Sequence, residues 1–263
     1  MSLSRGTTLS LRVLALGYLA VLLLVPVGLV FYRTFEHGVG AVWDSVTTPA
    51  AIHAFWLTIE IAAIAVPLNT VFGVVTALVL VRGRFRGTWL LDALIDLPFA
   101  VSPVVIGLSL VLLYGAGGWI DLPFQVLFAV PGMVLATIFV CLPFVVREVA
   151  PVLREIGDEQ EQAAATLGAS AWQTFWRVTL PAIRYGVAYG VVLTTARAVG
   201  EFGAVSVVSG KIAGETETLT LLVEKRFQNF DLAGAYAASA LLALIALATL
   251  LAMSLIGARK SES

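Results

Sequence analysis

Apolar residues fall along this chain in long blocks separated by short polar stretches, and the blocks are too long for the strands or core helices of a soluble domain. A helix needs roughly 20 apolar residues to cross the hydrocarbon core of a bilayer. On that measure the pattern predicts six spans, at residues 11–32, 54–81, 89–114, 124–146, 183–209 and 232–256. The first block follows Arg5 and Arg12, as a signal peptide would. Its apolar run is too long for that reading and no small-x-small site follows it, so a retained helix is expected. Tyr32, Trp56, Trp89, Tyr114 and Trp119 fall near predicted span ends, where amphipathic rings prefer to sit.

Charge sets the expected direction. Arg5, Arg12, Arg82, Arg84, Arg86, Arg147, Arg154, Arg177, Arg184, Arg259 and Lys260 fall on one side of the spans. Arg33, Lys211, Lys225 and Arg226 fall on the other. Loops on the cytoplasmic side carry the excess of cations, so both termini are expected in the cytoplasm. The longest polar connection then lies on the cytoplasmic side, at about 147–182. It mixes Glu148, Glu155, Asp158, Glu159 and Glu161 with small and aromatic residues, including Trp172, Phe175 and Trp176. A disordered tether does not have that composition, so a folded, docking loop is expected.

Composition agrees with the blocks: 59% of the 263 residues are hydrophobic, 13% are charged, and mean hydropathy is +0.96. A soluble domain carries about 25% charged residues to hydrate its surface. A net charge of −1 gives no footprint for nucleic acid. The single cysteine, Cys141, cannot form an intrachain disulfide, and neither His37 nor His53 has the neighbours of a metal site. No HExxH, no serine-protease motif with a membrane histidine and no P-loop is present, so neither an intramembrane protease nor an ATPase is expected.

Within the polar connection, Gln162, Ala163, Ala164, Ala165, Thr166, Leu167 and Gly168 are followed after nine residues by Val178, Thr179, Leu180 and Pro181. The local expectation is a short small-residue helix, a turn at Gly168, a second amphipathic segment, and a span begun by Pro181. This spacing resembles the EAA loop of bacterial ABC-importer permeases: EAA, three residues, Gly, nine residues, Ile-x-Leu-Pro. Gln162 stands where the family carries Glu, with Glu161 just before it, and Val178 replaces Ile. Residues 96–107 (DLPFAVSPVVIG), 141–148 (CLPFVVRE), 177–186 (RVTLPAIRYG) and 196–210 (ARAVGEFGAVSVVSG) are similar to the sulfate and molybdate branch, and most to its sulfate/thiosulfate permeases.

The resemblance implies an all-α polytopic membrane protein with six transmembrane helices in a single domain, the type I (MetI-like) ABC-importer permease fold. It implies a bacterial inner-membrane protein that forms half of the path for sulfate, and thiosulfate too. Its partners would be a second homologous permease, two ATP-binding subunits and an extracytoplasmic sulfate-binding protein. ATP and Mg would be bound by the ATP-binding subunits, with no cofactor on this chain. Glu161, Gln162, Ala163, Ala164, Ala165, Gly168, Leu180 and Pro181 would carry the coupling to the ATPase. A molybdate or tungstate permease and a stand-alone secondary anion transporter are the alternatives.

Polar residues inside the blocks are the candidates for the path. Arg197 and Glu201 lie four apart in the fifth block, hence on one helix face, and each is costly alone in hydrocarbon. Arg197 either lines the path, with Glu201 limiting how tightly a dianion is held, or forms a structural ion pair with it. Pro98, Pro103 and Gly107 are expected to break the third span, and Pro67 with Asn69 the second. Ser102, beside Pro103, is placed to donate to an anion. Glu60 reads as an interfacial or partner-facing carboxylate, and Asp92 and Asp96 as facing loop arginines.

Overall fold

The computed structural model describes residues 5–36, 38–83 and 86–261, with side chains described for 11–36, 38–83, 86–249 and 251. His37 and Arg84 lie outside these residues, as do the side chains of Arg5, Arg259 and Lys260. Every regular element among the described residues is a helix. In chain order these are α1 (Arg5–Phe35), α2 (Gly38–Val46), α3 (Pro49–Arg82), α4 (Thr88–Ala100), α5 (Pro103–Tyr114) and α6 (Val130–Ile156). They continue with α7 (Glu159–Thr166), α8 (Ala171–Thr174), a π turn (Phe175–Thr179), α9 (Leu180–Val199), α10 (Val205–Val208), α11 (Leu219–Gln228) and α12 (Leu232–Ser261).

Helices α3, α6 and α9 form the centre of the bundle, and α6 is its most enclosed long helix. Their close approach depends on missing side chains around one valine. A Cβ on Gly73 of α3 would come within 2.5 Å of the Val145 Cβ, and one on Gly190 of α9 within 2.9 Å of the Val145 Cα. Two apolar cores flank this crossing. One gathers Leu57, Ile61, Ile106, Met133, Val205 and Leu221; the other gathers Val74, Ile95, Val149, Leu153 and Ile183 toward α7. Helix α1 lies outside, against α12 and α2. Thr34 ties it down by donating to the Tyr236 carbonyl at 3.0 Å.

Among the described residues four helices are long and apolar enough to cross a membrane: Leu11–Phe35, Pro49–Arg82, Val130–Ile156 and Leu232–Thr249. The pair α4 and α5 makes a fifth if it counts as one span. Helix α9, which carries Arg184 and Arg197, is not among them. The predicted span 89–114 is therefore two helices bent by 108°. Proline accounts for the bend: Pro103 holds Ser102 extended, at φ −59° and ψ 134°, so the helix cannot run through.

Three other expectations need correction. Pro67 does not interrupt the second span, and α3 runs through it for 34 residues. Its ring faces outward, while Ala65, Val66 and Asn69 are buried on the other side, so packing carries the helix across one missing hydrogen bond. The fourth span starts at Val130 rather than 124, because Phe128 is left-handed (φ 57°) and the segment before it forms turns. It then runs on to Ile156, so the first ten residues of the expected loop are helix. Finally, the fifth predicted span ends at Val199; Gly200 follows, and α10 is a separate short helix.

Candidate functional site

The segment leaving α6 is folded by local chemistry. Gly157 (φ 64°) ends α6, and α7 carries Glu159 and Glu161 in its first turn, where carboxylates favour the positive end of the helix dipole. Gly168 then adopts φ +83°, a left-handed conformation a side-chain-bearing residue would resist, and the chain reverses. The Ala169 amide donates to the Ala164 carbonyl at 3.0 Å to close the turn. Ser170 starts the next helix with a capping box: its hydroxyl accepts from the Gln173 amide, and its own amide donates to Gln173 Oε1 at 2.9 Å.

Helix α8, the π turn and α9 then run without a break. Pro181 stands in the first turn of α9, as the spacing suggested, with no break before it. Having no N–H, it would leave a gap in an ordinary α ladder. The π turn, in which the Leu180 amide reaches back to the Phe175 carbonyl, accommodates it.

Helix α7 turns Glu161 inward and its small residues outward, while Glu159 stays exposed. Glu161 pairs with Arg82 at the end of α3 at 3.0 Å and accepts from the Thr179 hydroxyl at 2.9 Å. The same guanidinium donates to the Leu153 carbonyl at 3.2 Å and to the Gly157 carbonyl at 2.5 Å. Arg82 thus fastens α3, the end of α6 and α7 together. Gln162, Ala163, Ala165 and Gly168 are exposed, Ala164 is half-buried, and Leu167 is 89% exposed. With Pro181, which is exposed, and Leu180, which is half-buried, the motif residues edge a ledge on the outer side of the clamp. Gln162 makes no ion pair among the described residues; the neighbouring Glu161 supplies the internal tie. Arg82 and Thr179 were not singled out from the sequence, and only their partner across the fold reveals their part.

The second site lies at the break between α4 and α5. Ser102, Pro103 and Arg197 line one cavity of about 360 Å³ with Pro98, Phe99 and Val140. Arg197 reaches it from α9 and pairs with Glu201 at 2.6 Å. The pair is asymmetric: the Arg197 side chain is 31% exposed, the Glu201 side chain 1%. Glu201 stands behind the cavity and also caps the bend after α9, where its Oε1 accepts from the Ala204 amide at 2.9 Å. Its backbone carbonyl accepts from the Thr220 hydroxyl at 2.9 Å, linking the bend to α11. Ser102, Pro103 and Arg197 are therefore brought together, with Glu201 as the buried anchor of the arginine.

Other candidates sit apart. Arg147 on α6 grips Asp92 at 3.0 Å and Asp96 at 2.5 Å, so these carboxylates do face an arginine, though one in a helix rather than a loop. Glu60 is exposed on the outer face of α3, between the exposed Trp56 and Ile64. Among the described residues no group of three or more His, Cys, Asp or Glu could hold a metal ion.

A helical bundle with a broken span, a ledge clamped to the ends of two central helices and an arginine facing a cavity fits a membrane transport subunit. The chain belongs to the family described as the inner membrane component of binding-protein-dependent transport systems, whose pattern it matches over residues 69–261. It is a multi-pass membrane protein of that family. It is 54% identical over 242 residues to the sulfate transport system permease protein CysW of Synechocystis sp. (strain ATCC 27184 / PCC 6803 / Kazusa), covering 90% of this chain and 88% of that protein. It is 39% identical over 262 residues to the sulfate transport system permease protein CysT of Escherichia coli (strain K12), covering 98% and 93%. Its fold matches a chain of a bacterial ABC transporter that imports the acidic polysaccharide alginate, with TM-score 0.79, 17% identity and 96% coverage of each chain.

Proposed function

We propose that this chain is a permease subunit of an ATP-driven sulfate importer and that thiosulfate is also carried. The observation that carries the substrate is the 54% identity to a sulfate permease across 90% of the chain. Similarity to both CysW and CysT, two differently named sulfate permeases, supports pairing with a second, related permease. The path then lies between two such chains. The spans of this one are α1, α3, the broken pair α4–α5, α6, α9 with the bend after it, and α12. The excess of arginine on the α7 side supports cytoplasmic termini and a cytoplasmic ledge.

In this reading one of the two ATP-binding subunits docks on the ledge formed by Gln162, Ala163, Ala164, Ala165 and Gly168, with Leu180 and Pro181 at its edge, and Glu161 anchors it from within. An extracytoplasmic binding protein delivers the anion to the opposite face. ATP and Mg are ligands of the partners. Closure of the ATP-binding subunits pushes α7, and the Arg82 clamp passes that push to α3 and α6, which rocks the bundle. Ser102 and Arg197 meet the anion at the helix break. Glu201 neutralises enough of the charge of Arg197 that a dianion passes rather than stays.

The test is capture of a tagged form of this chain co-expressed with the second permease and the ATP-binding subunit. All three are expected to elute together, with hydrolysis stimulated by sulfate-loaded binding protein. Elution of this chain alone, or hydrolysis indifferent to the binding protein, would contradict the assignment.

A further inference from the structure

Between α7 and the start of α9 lies an open groove of about 680 Å³. Ala163, Ala164 and Leu167 form one wall and Pro181 lies on the other, while Arg177 and Arg184 both reach into it. The other arginines of this end that the structure ties down are committed to carboxylates: Arg82 to Glu161, Arg147 to Asp92 and Asp96. Arg177 and Arg184 are both exposed, and neither has a carboxylate partner among the described residues. The guanidinium of Arg184 rests on the Tyr185 ring, 4.8 Å from its centroid, and donates to the Tyr185 hydroxyl at 3.3 Å, which leaves its other N–H donors for a partner. The groove is thus apolar and small-walled at its floor and cationic at its rim.

Spacing and the apolar wall together decide what it fits. Arg177 in the π turn and Arg184 in α9 lie seven residues apart, roughly 10 Å along the helix axis, and both line the same groove. A single phosphate head group held between them would leave Ala163, Ala164 and Leu167 uncovered. A segment bearing two carboxylates about as far apart engages both, and its apolar side meets the alanines and Leu167. We infer that the ATP-binding partner presents an acidic segment to this groove, held by Arg177 and Arg184 beside the coupling ledge. The inference rests on the reading of α7 as the coupling helix and adds the chemistry of the partner's surface. The two charges steer encounter and fix the register of docking, while the small-residue ledge sets how closely the partner seats.

The test uses the whole complex in detergent and in nanodiscs containing phosphatidylglycerol. The Arg177→Gln/Arg184→Gln double variant is expected to bind the ATP-binding subunit about tenfold more weakly at low salt. Its binding should be nearly independent of salt, whereas wild-type binding falls as ionic strength rises. Arg177→Lys and Arg184→Lys keep the charge and add an amine, so a zero-length carbodiimide should join each to an Asp or Glu of the ATP-binding subunit. A double Gln variant with wild-type affinity and salt dependence, or Lys variants that form no such cross-link, would overturn the inference. So would a double variant that loses bound phosphatidylglycerol while retaining the ATP-binding subunit. Ala163→Cys separates this failure from failure of the coupling reading, because the native Cys141 is fully buried. A maleimide cross-link from Ala163→Cys to the ATP-binding subunit, with none from the Lys variants, removes only the acidic segment. No cross-link from any of them removes the coupling assignment and this inference with it.

Discussion

Arg197→Gln is expected to cut the detergent-stable yield of the complex sharply, while Glu201→Gln still assembles. The asymmetry follows from burial. Removing Arg197 strands a carboxylate whose side chain is 1% exposed, and breaking a buried pair in this way costs about 3–5 kcal/mol. Water reaching the arginine end of the cavity places the cost toward the lower end of that range. Removing the charge of Glu201 leaves an amide whose oxygen still accepts from the Ala204 amide, and leaves Arg197 partly solvated. The Glu201→Gln complex should then hold sulfate more tightly and move it more slowly, because the positive charge at the cavity is no longer compensated. The Arg197→Gln/Glu201→Gln double variant separates the two roles of Arg197. It should recover yield but transport little sulfate if the charge serves the anion; full uptake would leave Arg197 a structural partner only. Yield and sulfate uptake in vesicles measure all three.

Arg82→Gln is expected to assemble but lose coupling. Its guanidinium holds Glu161 and the carbonyls of Leu153 and Gly157, so one substitution releases α3 from both α7 and the end of α6. A charge-assisted hydrogen bond contributes about 1.5–3 kcal/mol, and the partial exposure of this cluster keeps the total nearer the value of one such bond than of three. The expected result is sulfate uptake lowered by at least about tenfold, with hydrolysis continuing but no longer stimulated by the loaded binding protein. Arg82→Lys should restore little, because an ammonium cannot span the same three acceptors in a fixed plane. Stimulated ATP hydrolysis and uptake, measured on the same preparation, check this. Wild-type stimulation in Arg82→Gln would show that the clamp transmits nothing.

Much of the fold could be read from local pattern. The long apolar blocks mark α1, α3, α6 and α12, and Pro103 marks the break after α4. The turn at Gly168 follows from a glycine between a small-residue helix and a serine able to cap the next one. Apolarity, however, reports burial or lipid contact and not helix, so residues 124–129 read as span although Phe128 sits in a left-handed turn. Charge misleads in the opposite way. Arg147, Glu148 and Arg154 suggested a loop, yet a helix leaving the membrane keeps its hydrogen bonds and continues to Ile156.

The candidate sites divide along the same line. Arg197 and Glu201 are four residues apart, so their pairing is local and could be anticipated, although Glu201 lies just past the end of α9 rather than on it. That Ser102 and Pro103 share a cavity with Arg197 depends on α4–α5 packing across the bundle, but the proline break itself pointed there. The Arg82–Glu161 clamp spans 79 positions and no local pattern encodes it. Arg82 reads as one more cation at a span end. Only the fold brings it under α7.

The central claim is that this chain is half of a path driven by a partner's ATP. The most direct measurement is sulfate uptake into liposomes containing this chain, the second permease and the ATP-binding subunits, with sulfate-loaded binding protein outside and ATP inside. Uptake should require ATP and the binding protein, and should vanish when this chain is reconstituted alone. Robust, ATP-independent sulfate flux through liposomes holding only this chain would contradict the account.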